Sequence, residues 1–148
     1  MTGLSGRFEH GEHVLPVRVY YEDTDAAGIV YYANYLKYAE RARTELLRLA
    51  GIRQSDISRE HGMAFAVRDC RVDYQRPARL DDLVEVRSRL VGLRAASVDA
   101  EQAITLDGAT LARLDVRVAC VKRDGRPVRM PDAVRRALET YCQPREGT

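Results

Sequence analysis

Three carboxylates, Glu22, Asp23 and Asp25, fall in one short turn that ends at Gly28, a few residues ahead of an apparent helix start near Asn34. Acidic residues and a closing glycine mark residues 22–28 as a turn. The residues just before it alternate, Val17, Val19 and Tyr21 against Arg18 and Tyr20, with the period of a half-buried strand. A helix N-terminus carries unpaired N–H donors and the positive end of the helix dipole. It can hold a developing oxyanion, and one good donor there is worth about 3–4 kcal/mol of barrier. A carboxylate folded back toward such donors can attack a carbonyl or take a proton from water. Asp25 is the candidate: a short loop can bring it back to the helix start near Tyr32. A simpler role stays open, because aspartate also forms turns and caps helices.

The elements that must position this turn can be read from periodicity. After Asn34, residues Tyr35, Leu36, Ala39, Ala42, Leu46, Leu49 and Ala50 recur at helical spacing. Asn34 suits an N-cap and Gly51 a stop just past the end. Arg41 and Glu45, four apart, can pair on the outer face for about 0.2–0.5 kcal/mol. Residues 54–62 read as a short helix or loop, with His61 a loop histidine. Strands follow at 63–74, 83–93, 95–105 and 109–123, and Asp107-Gly108 is a hairpin turn between the last two. Pro131 precedes a short helix over 132–141, where Val134, Ala137, Leu138 and Tyr141 share a face. One strand, one long helix and four successive strands make an α+β domain, with one antiparallel sheet burying its apolar face against the helix.

The 148 residues suit one domain, and 45% hydrophobic with 31% charged residues is ordinary globular composition. A formal charge of +2 is too small to argue for nucleic acid. The basic residues are mostly arginine, a side chain suited to phosphate. Residues 1–13, with Gly3, Gly6 and Gly11, read as a flexible leader, 14–143 as the single domain, and 144–148 as a frayed end. No apolar core of a signal peptide and no run of about 20 apolar residues is present, so a cytoplasmic protein is expected. His10 and His13 have no third ligand nearby in sequence, and no metal site is expected. Cys70, Cys120 and Cys142 form no close pair, which suits reduced thiols, and the first two lie in strands as buried structural residues.

Residues 20–35 (YYEDTDAAGIVYYANY), 40–45 (ERARTE), 74–82 (YQRPARLDD) and 93–97 (LRAAS) together resemble the hotdog-fold acyl-CoA thioesterases of the 4-hydroxybenzoyl-CoA thioesterase class. The similarity is closest to the Tol–Pal-associated, YbgC-type branch, and it spans roughly residues 17–121. The resemblance implies a hotdog fold, a curved antiparallel sheet wrapped around one long central helix. It implies hydrolysis of an acyl-CoA to a free acid and coenzyme A. Asp25 would be the catalytic carboxylate, as nucleophile or general base, and the backbone N–H of Tyr32 would polarise the thioester carbonyl. Many members of the Tol–Pal-associated branch have histidine where this chain has Tyr32, so an imidazole role there is lost while the backbone role survives.

Tyr21, four residues before Asp25 on the same apparent strand, would wall the site, and Gly28 is a further substrate-binding candidate. More positions follow from the resemblance. Glu40 would line the acyl pocket, unless it is a solvated helix charge. Val67 would face Asp25 from the partner subunit of a homodimer that pairs edge to edge and assembles to a homotetramer. Arg94 and Ser97 would lie near the nucleotide of coenzyme A, although Ala95 and Ala96 lack the charges of the hydroxybenzoyl-CoA branch; Arg76 and Arg79 are weaker candidates. Tyr31, Tyr32, Tyr35 and Tyr38 suit either packing or an aromatic-tolerant pocket. No cofactor is implied, since coenzyme A is part of the substrate. Two rivals keep the fold: an acyl-binding protein that engages acyl carrier protein in envelope or phospholipid metabolism, and a dehydratase, for which the Asp25 region offers no histidine base.

Overall fold

The computed structural model describes residues 3–143. Its elements in chain order are strands β1 (Arg7–Glu9) and β2 (Glu12–Arg18), a single 3-10 turn (Tyr21–Asp23), helices α1 (Asn34–Leu49) and α2 (Gln54–His61), strands β3 (Met63–Tyr74), β4 (Leu83–Leu93), β5 (Ser97–Leu106) and β6 (Ala109–Lys122), and helix α3 (Asp132–Glu139). All six strands form one antiparallel sheet in the order β1-β2-β4-β5-β6-β3. This is the expected α+β layout, with α1 laid across β2, β4 and β5.

Alternation drives the packing. On β4, Val84, Val86, Ser88 and Leu90 are buried while Glu85, Arg87 and Arg89 are only partly covered. The inward residues of β2, β4, β5 and β6 meet Tyr35, Tyr38, Ala39 and Ala42 of α1. A second apolar cluster joins Leu46, Leu47, Ile57, Met63, Leu90 and Leu138 at the other end of the helix. Asp107 and Gly108 both take positive φ, 50° and 84°, the type I′ geometry that matches strand twist. Tyr35 adds a polar fastening: its hydroxyl accepts the buried N–H of Ala78 at 2.8 Å.

Several expectations need correction. Residues 7–13 are not a loose leader. His10 and Gly11 form a second two-residue turn with φ of 50° and 78°, so β1 folds back on β2. Phe8 stacks on Tyr141 at 4.2 Å, and His13 is fully buried, its Nε2–H donating to the Ser5 carbonyl at 2.7 Å. The expected strand over 17–21 ends at Arg18, and Tyr21 opens the 3-10 turn instead. Glu45 lies 3.6 Å from Arg48, rather than pairing with Arg41. Leu36 and Leu49 are exposed, because Tyr38 and Leu47 lie closer to the centre of the buried stripe. Cys120 is buried as expected, but Cys70 is exposed, since β3 is an edge strand. Residues 144–148 lie outside the described residues.

The β4–β5 connection is braced by charge. Asp99 accepts from Arg117 Nε at 2.8 Å and from Arg94 Nη2 at 3.2 Å. These bonds, Arg117 first, hold its carboxyl below the usual carboxylate range against the opposing effect of burial. A depressed folded pKa stabilises above the unfolded value, about 3.9, and that contribution is lost as pH falls through the folded one. The Asp99→Asn variant should therefore be less stable than the native chain near neutral pH, with the gap closing below about pH 4 in denaturant titrations. Tyr35→Phe should strand the buried Ala78 N–H and cost about 1–3 kcal/mol, read from the same titrations at neutral pH.

Candidate active site

The acidic turn folds into a small hairpin. Thr24 and Val30 bridge, the N–H of Asp25 donates to Ile29 O at 2.9 Å, and the N–H of Gly28 donates to Asp25 O at 3.0 Å. Gly28 has φ of +79°, a conformation that favours glycine. The loop is tied to the segment before β4 by the Val30 N–H, which donates to Ala78 O at 2.8 Å, and by a bridge between Ile29 and Arg79. Asp25 stands exposed at the tip. Its Oδ1 accepts the Ala27 N–H at 2.9 Å, the expected turn-forming role, while Oδ2 has no hydrogen bond among the described residues. The turn role and availability for chemistry are thus compatible.

The start of α1 is held by the same loop. The Asp23 carbonyl accepts two bonds, from the Tyr31 N–H at 3.0 Å and from Asn34 Nδ2 at 2.8 Å. Asn34 is therefore not the N-cap; it is the first helical residue, and its amide reaches back to the turn. Ala33 occupies the cap position and offers no side-chain acceptor. Asn34 N–H is used on Tyr31 O at 2.8 Å, and Tyr35 N–H contacts Tyr32 O at 3.3 Å. Among the described residues, the N–H groups of Tyr32 and Ala33 have no acceptor. Tyr74, at the end of β3, donates its hydroxyl to Tyr32 O at 3.1 Å and so pins that peptide. A shallow depression of about 230 Å³ lies beside these groups, lined by Ile29, Tyr32, Tyr35, Tyr74 and Arg76. Burial, with Asp23 nearby, pushes the Tyr38 phenol up.

A larger cavity, about 310 Å³, lies under the second half of α1. Glu40, Arg43 and Thr44 line it from the helix, Phe65 and Val67 from β3, and Leu90 from β4. Glu40 is thus both exposed and at a cavity wall, and Val67 shares that cavity. Asp25 and Tyr32 do not line it. Tyr21 lies on the 3-10 turn with 83% of its surface exposed, so it is no strand-borne wall of a pocket within one chain. Arg94 is exposed enough to meet a ligand but is engaged by Asp99. Ser97 is buried, and its carbonyl accepts the Arg94 N–H at 2.8 Å, so within one chain it shapes the turn instead of presenting a surface.

Sequence reasoning missed the polar network above the cavity. Gln102 Nε2 donates to Ala39 O and to Ser88 Oγ, each at 2.9 Å, while its Oε1 accepts Arg43 Nη1 at 2.9 Å. The available signal was phase: Ser88 follows Val84 and Val86, and Gln102 precedes Ile104, on the inward side of their strands. Asn34 and Tyr74 were also missed as tethers, since neither partner is near in sequence.

Comparison with known proteins agrees with this arrangement. Residues 19–138 match the thioesterase-like superfamily. The acyl-CoA thioesterase YbgC of Haemophilus influenzae is 42% identical over 124 residues, covering 83% of this chain and 91% of that protein. The acyl-CoA thioester hydrolase YbgC of Escherichia coli O157:H7 is 44% identical over 107 residues, covering 72% and 79%. Among solved structures, a probable thioesterase from Bartonella henselae superposes with a TM-score of 0.77 at 34% identity, covering 81% of this chain and 99% of that one. With an antiparallel sheet laid against one long helix and this match along most of its length, the chain belongs to the thioesterase-like superfamily of hotdog-fold thioester hydrolases.

Proposed function

We propose that the protein is an acyl-CoA thioesterase, hydrolysing an acyl-CoA to the free acid and coenzyme A. The observation that carries this reading is the pair of unused N–H groups at Tyr32 and Ala33, fastened through Asp23 and Asn34 to the hairpin that bears Asp25. The thioester carbonyl oxygen would lie against those donors, which strengthen their hold as negative charge develops on it. The free Oδ2 of Asp25 then either attacks the carbonyl carbon, expelling coenzyme A thiolate and leaving a mixed anhydride for water to open, or takes a proton from the water that attacks. Both routes end in the same acid and thiol. Neither requires an imidazole, which accords with tyrosine at position 32.

Assembly completes the site in this reading. β3 is a 12-residue edge strand with Val67 half-exposed along it and Tyr74 exposed at its end, and an edge of that length is a template for pairing. Two chains joined along β3 would cover it and bring the exposed Asp25 of one against Val67 and the larger cavity of the other. Arg94 and Arg117, which share the single carboxylate of Asp99, leave positive charge for the phosphates of coenzyme A. Among the described residues no helix is long and apolar enough to cross a membrane, which is compatible with the cytoplasmic location expected for such an enzyme.

Hydrolysis of short-chain, long-chain and aromatic acyl-CoAs, followed by a thiol reagent, should show turnover by the native chain. Asp25→Asn, nearly isosteric, should lower it at least ~100-fold with the thermal midpoint preserved; equal rates would remove Asp25 from the mechanism. Sedimentation should give the mass of two or four chains, and a fully active monomer would overturn the shared site.

A further inference from the structure

Arg43 is a half-buried cation in the wall of an apolar cavity. Buried charges are ordinarily paired, because desolvation costs more than a neutral contact returns. Arg43 forms no ion pair among the described residues; its hydrogen bond goes to the neutral Gln102. Gln102 has no freedom to turn away, since its amide nitrogen is held by both Ala39 O and Ser88 Oγ. The amide oxygen therefore fixes one Nη of the guanidinium, and the remaining N–H groups of the fork have no acceptor among the described residues. The neighbouring polar side chains do not supply one. Gln54 Nε2 is directed at Thr44 Oγ1 at 3.4 Å, and the Ser88 hydroxyl oxygen accepts from Gln102. Glu40, three residues earlier on the helix, lies outside ion-pair distance and is exposed, so its charge acts on Arg43 only across space. The rest of the wall is apolar: Leu46, Leu47, Phe65, Leu90, Val98 and Leu138.

We infer that Arg43 sets acyl specificity, and that the preferred acyl group carries an oxygen acceptor, a carboxylate or a hydroxyl, away from its thioester carbon. This rests on the thioesterase reading and on the acyl group entering the cavity that Glu40 and Val67 line. The volume of about 310 Å³ leaves room for a short acyl chain with one such group. The apolar wall holds the methylenes, and the fixed guanidinium meets the oxygen. An alkyl chain of the same length would leave the cation buried against hydrocarbon, and sites built to hydrogen-bond a substrate reject the analogue that lacks the partner.

The test compares hexanoyl-, 3-hydroxybutyryl- and glutaryl-CoA on the native protein, Arg43→Met and Arg43→Lys. The native kcat/KM should favour at least one oxygen-bearing substrate over hexanoyl by about tenfold or more. Arg43→Met should bring that ratio near one, and Arg43→Lys should retain part of it. Preference for glutaryl identifies a carboxylate as the partner; preference for 3-hydroxybutyryl identifies a neutral oxygen, with Glu40 disfavouring a second anion. A native preference for hexanoyl overturns the inference, as does an equal loss on all three substrates in Arg43→Met. A separate arm measures thermal stabilisation by free glutarate, 3-hydroxybutyrate and hexanoate. A native shift with either oxygen-bearing acid that exceeds the hexanoate shift and disappears in Arg43→Met supports the site even if no thioester is hydrolysed, an outcome that would sink the thioesterase reading alone. Absence of any such shift together with absence of turnover overturns both.

Discussion

The Asp23 carbonyl is the joint on which the rest of the site depends. One oxygen accepts the Tyr31 N–H and the Asn34 side-chain amide, so the acidic hairpin and the first turn of α1 move as one piece. Separately, each would be weakly placed. The hairpin is short, exposed at its tip and closed by a glycine at positive φ, and the helix start has alanine where a capping side chain would ordinarily sit. An uncapped helix start is a cost in a structural element, about 1 kcal/mol against a good cap. The N–H groups of Tyr32 and Ala33, just ahead of the first helical residue, have no acceptor among the described residues, and one oxygen of Asp25 has no hydrogen bond there either. Without a capping side chain, the Tyr74 hydroxyl on Tyr32 O and the Asn34 amide on Asp23 O tether the chain at the helix start.

The two ends of α1 face different surroundings for a related reason. Its first half packs Tyr35, Ala39 and Ala42 tightly onto the sheet, where small residues let helix and strands approach. Its second half spans the cavity, and between the two lies the Ala39–Gln102–Ser88–Arg43 network. A polar network in that position carries a desolvation cost that an apolar layer would avoid. It returns a fixed register between α1, β4 and β5 and a fixed direction for one guanidinium. The two ends of the helix are therefore positioned against one strand pair.

Much of this was legible in sequence where the pattern is local. The period-two alternation of β4, the Asp107-Gly108 turn and the Gly51 stop after α1 each follow from a few adjacent residues. The Asp25 hairpin was legible as a turn for the same reason. What was not legible depends on partners far along the chain. Asn34 looked like a cap because capping is its commonest local use, and only the return of the chain at Asp23 redirects its amide. Residues 7–13 looked loose because glycine suggests freedom, yet Gly11 supplies the positive φ that closes β1 on β2, and Phe8 finds Tyr141 more than a hundred residues away. Arg43 carries no local signal of its role, since nothing within a turn of it announces Gln102.

Cys70 departs from the expected burial for a different reason, one that bears on function. A cysteine within a strand is usually covered, but β3 is covered on one side only, by β6. Over its length most of its residues stand exposed in the single chain, including apolar Val67 and the aromatic ring of Tyr74. A long edge of that kind invites pairing with another strand, and natural edges are usually blunted by proline, bulges or charge. This one has a bulge between Val67 and Asp69 and charges at Arg68, Asp69, Arg71 and Asp73, but no proline within the strand. Alternating charges of both signs on an antiparallel edge can match a second copy as readily as they repel a stranger. The same strand supplies Tyr74 to the helix start and Val67 to the cavity, so whatever covers β3 touches both halves of the site at once.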